Sequence, residues 1–164
     1  MNTVIVAVAQ YLIFVLAAAA AVVWLTRDRA GKVVLAAEAI VGLVLVYAGI
    51  KLAAHLHYDG RPFIRDHSKA LFAHANDNGF PSDHSAAGGL LTVLVVRYQR
   101  VVGALVGVGA VLIAWARVAA HVHHAQDVVA GLLIGAVAGV LAIVVVSAAA
   151  RLTARGGANR PAAR

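Results

Sequence analysis

A handful of polar side chains stand out in a chain that is otherwise mostly apolar. They fall in two stretches, 58–84 and 117–127. The first carries Arg61-Pro62 and Pro81-Ser82-Asp83-His84; the second carries Arg117, His123 and Asp127, and Lys51 lies just upstream of both. A spacing of four between His123 and Asp127 puts both on one face if a helix starts near them, so the carboxylate can accept a proton from one imidazole nitrogen. That contact sets the tautomer and leaves the other nitrogen free as a nucleophile. Without chemistry, the same pair reads as an interfacial histidine and a capping aspartate. Arg117 favours chemistry, because a charge at the end of an apolar helix is costly unless it is paired or faces a wet cavity. Its bland explanation is snorkelling to the interface. Arg61 sits between Gly60 and Pro62 on a restrained loop. Guanidinium groups offer several fixed donors and keep their charge, so two on one face make a clamp for a phosphate dianion. Pro81 and Ser82 look like a helix start, where free amides attract phosphate and the Ser82 hydroxyl adds a donor. His84 would stand nearby as a proton donor to a leaving oxygen.

The elements that must position these groups are membrane helices. A chain of 164 residues with 62% hydrophobic and 13% charged residues is one domain at most, and its composition is not that of a soluble protein. Apolar runs over 4–25, 33–57, 82–96, 101–120 and 128–150 predict an all-α integral membrane bundle of about five transmembrane helices. One domain covers 1–150, and a basic tail, 151–164, lies along anionic lipid. The first run is too long for a signal-peptide core and stops at Arg27-Asp28-Arg29, so it reads as a retained helix. The absence of cysteine excludes disulfides, thiolate metal sites and a thiol nucleophile. Of the net charge of +7, the basic groups at 27–32, 97–100 and 151–164 alternate onto one side, which the positive-inside rule makes cytoplasmic. The N-terminus, the 58–82 loop and the 121–127 connection then face outside, and no nucleic-acid partner is expected. Gly131, Gly135 and Gly139, four apart, predict close packing inside the bundle rather than a dimer seam. Glu38 is expected as a buried hydrogen-bonding partner near the cytoplasmic end.

Arg61-Pro62, Pro81-Ser82-Asp83-His84 and Ala116-Arg117 with His123 and Asp127 together resemble the three signature motifs of the type-2 phosphatidic acid phosphatase (PAP2) superfamily, over roughly residues 51–131. Asp83 stands where many members have glycine, and the Phe80-Pro81-Ser82-Asp83-His84 version is similar to bacterial undecaprenyl-diphosphatases. The first motif departs from the family pattern. There a lysine precedes the arginine by seven, whereas Lys51 precedes Arg61 by ten, so Lys51, His55 and His57 compete for that place. Many relatives have six spans, which suggests that an N-terminal helix is dispensable.

The resemblance implies a lipid phosphatase that needs no metal and no cofactor. His123 would attack phosphorus with Asp127 orienting it, and His84 would protonate the leaving group and then activate water. Arg61, Arg117, Ser82 and Lys51 would hold the phosphoryl oxygens. The implied substrate is a polyprenyl diphosphate, foremost undecaprenyl diphosphate, cleaved to the monophosphate outside the cytoplasm to recycle the cell-wall lipid carrier. A phosphatidic acid or phosphatidylglycerophosphate phosphatase is the alternative. A different class, a metal-binding or transport protein, is suggested by His55, His57, His67, His74, His121, His123 and His124. It lacks an intramembrane row of ligands that would mark a pathway. His121 and His124 read as interfacial, and His67 and His74 as loop residues near the headgroups.

Overall fold

The computed structural model describes residues 1–158. Residues 159–164, the end of the expected basic tail, lie outside the described residues. The described chain forms α1 (Asn2–Leu25), α2 (Arg29–Leu56), a single turn α3 (Pro62–Arg65), α4 (Asp83–Tyr98), α5 (Arg100–Ala119) and α6 (Ala125–Ala158). The boundaries follow local chemistry. Asp28 Oδ1 accepts the Gly31 amide at 3.0 Å to cap α2. Pro62 opens α3, where its missing N–H costs nothing. Ser82 caps α4. The last helix runs past the expected end at 150, where Arg151 and Leu152 are good helix formers.

Among the described residues, four helices are long and apolar enough to cross a membrane: α1, α2, α5 and α6. The expected third span, α4, has 16 residues and rises only roughly 24 Å, against the ~30 Å of a hydrocarbon core. It sits inside the bundle. One apolar core joins Leu16 and Val23 of α1 to Val95 of α4 and to Val106, Ala110 and Ile113 of α5. The other joins Leu35 and Val46 of α2 to Ala86, Leu90 and Leu94 of α4 and to Ala138 of α6. Because α4 enters both, it is the central strut. Large apolar side chains such as Phe14, Tyr47, Leu105, Leu133 and Val144 remain exposed on the outer faces, as a protein solvated by lipid requires.

The three spaced glycines make the α4–α6 contact, inside the bundle as expected. A Cβ at Gly135 would overlap the Ala86 carbonyl oxygen, one at Gly131 would overlap that of Ser82, and one at Gly139 would come within 2.9 Å of Val93 Cβ. This backbone approach brings the start of α4 beside the start of α6. At the opposite end of α4, the fully buried Glu38 accepts a hydrogen bond from the Tyr98 hydroxyl at 2.9 Å, and Arg97 Nη2 lies 3.3 Å from its carboxylate. That end also carries Arg27, Arg29, Lys32 and Arg100.

Gly135→Val is expected to force α4 from α6 and cost about 1–3 kcal/mol, as overpacking does, read as a lower Tm in detergent. Gly60→Ala, whose Cβ would find its nearest neighbour at 3.8 Å, leaves Tm unchanged.

Candidate active site

The centre of the site is made by how α5 ends. His121 takes the left-handed conformation (φ 58°), its amide reaches the Val118 carbonyl at 2.9 Å, and the Val122 amide reaches the Arg117 carbonyl at 3.2 Å. This is a Schellman turn. It folds the chain back over the last turn of α5, so His123 returns to Arg117. Helix α6 begins at Ala125, and Asp127 in its first turn accepts the His124 amide through Oδ2 at 2.8 Å. The same oxygen lies 3.3 Å from His123 Nδ1, so the expected pair forms across the helix start. The Ser82 amide donates to the Asp127 carbonyl at 3.0 Å, tying α4 to α6 at this level.

Two guanidinium groups converge on the other ring nitrogen. Arg61 Nη1 lies 3.2 Å from His123 Nε2, and Arg117 Nη2 lies 3.3 Å from it. Arg61 is held by Asp77 through Nε at 2.7 Å and by the Val122 carbonyl through Nη1 at 2.9 Å. Arg117 donates to His74 Nε2 at 2.9 Å and to the Ala9 carbonyl at 3.4 Å, and its guanidinium carbon lies 5.8 Å from the centre of the Phe72 ring. Both arginines are almost wholly buried, at 6% and 3% exposure. Burial, helped by the charges of Arg117 and Arg61, holds His123 below the usual imidazole range despite Asp127. His123 is therefore neutral, with its Nδ1 proton on Asp127 and its Nε2 lone pair facing the clamp. Burial and the same two arginines push His74 down to about 4.

Lys51, Arg61, His84, Arg117 and His123 line one cavity of about 400 Å3, so five of the seven expected site residues meet there. Asp127 stands behind His123, fully buried. Ser82 is the exception. Its hydroxyl faces the Ser85 amide and accepts from the Ser85 hydroxyl at 3.2 Å, and the residue is fully buried away from the cavity, so capping has claimed the oxygen expected at phosphate. Lys51 reaches the cavity wall with Nζ 5.5 Å from the centre of the Tyr47 ring. His55 and His57 do not line the cavity, and His57 packs edge-on against Phe80 at 4.8 Å.

Sequence reasoning missed His74 and Asp77, which hold the two arginines and line the cavity; neither lies in a motif. It also missed what His124 does. The imidazole sits between two carboxylates, with Nε2 at 3.0 Å from Asp66 and Nδ1 at 2.8 Å from Asp59, and so pins the turn that carries His123 to the segment that carries Arg61. Asp59, His124 and Asp127 also approach metal-ligand spacing, within 4.8 Å of one another. There, however, Arg65 at 2.7 Å and His124 already face the Asp59 carboxylate, which Gln126 also bonds.

A membrane-embedded helical bundle with one histidine held between two buried arginines is the class that fold and site define. The chain belongs to the PAP2 superfamily, whose family model matches residues 34–151. It is 31% identical to the bacitracin transport permease protein BcrC of Bacillus licheniformis, over 82% of this chain and 66% of that protein. Identity to YbjG of Escherichia coli strain K12 is 33%, over 78% and 65%. Identity to the undecaprenyl-diphosphatase BcrC of Bacillus subtilis is 25%, over 86% and 72%. The chain thus spans just under two thirds of the length of the first two. Its fold is similar to the crystal structure of a transmembrane PAP2-type phosphatidylglycerolphosphate phosphatase from B. subtilis, with TM-score 0.58 and 22% identity over 86% of this chain and 74% of that one.

The His124 bridge makes stability depend on pH. Partial burial lowers its affinity for a proton, but Asp66 and Asp59 outweigh this and raise it above the ordinary 6.5. A raised folded-state value stabilises fully below pH 6.5 and is lost as pH rises through that value. Tm in detergent is therefore expected to fall above neutrality by more in the wild type than in His124→Gln.

Proposed function

We propose that this protein is a membrane lipid phosphatase that cleaves a polyprenyl diphosphate, foremost undecaprenyl diphosphate, to the monophosphate and inorganic phosphate on the extracytoplasmic face. The observation that carries this is the convergence of two buried guanidinium groups on His123 Nε2. A phosphoryl group entering the cavity takes over those donors and frees the lone pair to attack phosphorus. Asp127 holds the ring and stabilises the charge it gains, giving a phosphohistidine. His84 protonates the leaving oxygen and then takes a proton from the water that hydrolyses the intermediate. Arg61 and Arg117 stabilise the charge that develops on the equatorial oxygens, and Lys51 at the cavity wall adds a third cation. This scheme asks for no metal.

The sidedness rests on the basic residues at the far end of the bundle, which the positive-inside rule assigns to the cytoplasm. The diphosphate substrate rests on Asp83 and on the likeness to the B. subtilis undecaprenyl-diphosphatase. A phosphatidylglycerophosphate is the second reading, favoured by the fold neighbour. A transport role, which the B. licheniformis relative's name would suggest, finds no polar route here. Between the site and Glu38 the described interior is filled by Ala86, Leu90, Leu94 and Ala138.

Phosphate release from a panel of lipid diphosphates and monophosphates in matched micelles tests the substrate, and undecaprenyl diphosphate is expected to give the highest kcat/KM. His123→Ala is expected to lose about 10³-fold or more of kcat, and His84→Ala about 10²–10⁴-fold, with Tm retained. Substantial turnover by His123→Ala would reassign the nucleophile. EDTA is expected to leave the rate unchanged; strict dependence on an added divalent ion would redirect the mechanism to metal catalysis.

A further inference from the structure

Beside the main cavity lies a second, more open cleft of about 420 Å3, between α1 and the loop at 72–75. His74, His84 and Arg117 line both spaces, so they form the partition. His123 lines only the first, and Gln10 and Tyr11 only the second. We propose that this cleft binds the second phosphate of a lipid diphosphate, the one that departs still attached to its lipid. The inference rests on the phosphatase reading above and adds a place for the leaving group.

In-line displacement puts the leaving oxygen on the side of phosphorus opposite the nucleophile. As the bond from His123 Nε2 to phosphorus forms, the bond from phosphorus to the bridging oxygen breaks. Its electron pair stays on that oxygen, which takes the proton that His84 gains with the anionic substrate, whose charge offsets the burial and the Arg117 charge that otherwise hold this imidazole down at about 4. With His123 on one side of the partition and His84 within it, the departing phosphate emerges on the α1 side. The donors there suit an anion. Arg117, in the partition, brings a cation to both spaces. Gln10 adds an amide and Tyr11 a hydroxyl. A monophosphate substrate releases an alcohol and has no second phosphate for these donors. The cleft therefore selects diphosphates over monophosphates. Its α1 wall lies outside the 34–151 segment matched by the family model, so this selectivity belongs to a part of the chain that the shared motifs do not cover. The Ala9 carbonyl, bonded to Arg117, fixes α1 against the partition.

The test is the double variant Gln10→Leu/Tyr11→Phe, assayed with a polyprenyl diphosphate and the matching monophosphate. Tyr11 is 62% exposed, so the variant keeps its fold, checked by Tm. Losing the hydrogen bonds to a charged group is expected to lower kcat/KM on the diphosphate by about 10- to 100-fold and to leave the monophosphate rate within about threefold. Inhibition by the lipid monophosphate product should weaken in parallel. Inhibition by orthovanadate, which mimics the transferred phosphoryl group alone, should not change. Equal losses on both substrates, or no loss on either, would overturn the cleft assignment while leaving the phosphatase reading intact. A wild type inactive on every lipid phosphate would overturn that reading, and the cleft assignment with it.

Discussion

A buried positive charge with no carboxylate bonded to it among the described residues governs this molecule. The hydrogen-bond partners of Arg117 are a backbone carbonyl and two imidazoles, all neutral, and its Nε has none. A charge in that position is costly unless something completes it. Arg61 nearby is answered only in part, by an Asp77 that is itself half exposed. Two guanidinium groups within hydrogen-bonding distance of one nitrogen also repel each other. The arrangement is poor as a structural ion pair and suits an anion that carries two charges and several acceptor oxygens. It also explains why His123 stays neutral, since a third cation there would add to the same repulsion.

The cost of such a centre falls on the segments around it, and they are densely tied. Asn78 accepts the amides of Asp59 and Phe80 through Oδ1, both at 3.0 Å, and donates through Nδ2 to the carbonyls of Ala54 and His57. One side chain thus closes the end of α2 onto the loop on either side of Arg61 and Asp77. The Gly79 amide bonds the Asp59 carbonyl at 2.8 Å, and a Cβ at Gly79 would come within 3.2 Å of both that oxygen and Asp127 Oδ2. Glycine is needed there for proximity: the loop passes against the Asp127 carboxylate that faces His123. The Leu71 amide docks on the Ala120 carbonyl of the Schellman turn, which carries Phe72 and His74 over Arg117. Loop residues, with no periodic pattern of their own, set the geometry of the site.

This division accounts for what the chain disclosed before its structure was known. Apolar runs, cations at their ends and the four-residue glycine spacing are properties of helices, so the bundle, its seam and the polarity of its ends could be read directly. The convergence of Arg61, His84, Arg117, His123 and Asp127 could be anticipated because all five stand at motif positions on neighbouring elements. Lys51 could be placed over His55 and His57 only by direction, since only its face of α2 turns to the cavity. Ser82 was expected both to cap α4 and to donate to phosphate; its oxygen takes the cap, and the residue does not line the cavity. His74, Asp77, Asn78 and His124 act through contacts 16 to 58 residues apart, for which no local pattern exists. Nothing in the apolar pattern of α1 signalled that the Ala9 carbonyl would reach Arg117.

Helix α4 joins these local facts into one constraint. Too short to span a bilayer by itself, it must be held in register by its neighbours, and it is held at both ends. At its start the Ser82 amide is fixed to Asp127, and at its end Tyr98 and Arg97 are fixed to Glu38. Between them the glycine seam lets the α6 backbone approach the carbonyls of Ser82 and Ala86, where any larger residue would push α4 aside. A slip of α4 by one residue, about 1.5 Å along its axis, would move His84 relative to His123. It would also strip Glu38 of its partners and drive side chains into the seam. The buried acid at the far end thus has a physical reason to exist that involves no ligand: it opposes sliding of the helix that carries His84 at its other end. Buried polar contacts of this kind contribute little net stability but strongly penalise alternative registers. In a bundle whose other contacts are mostly interchangeable Ala, Val and Leu, a polar pin supplies the register that apolar packing leaves loose.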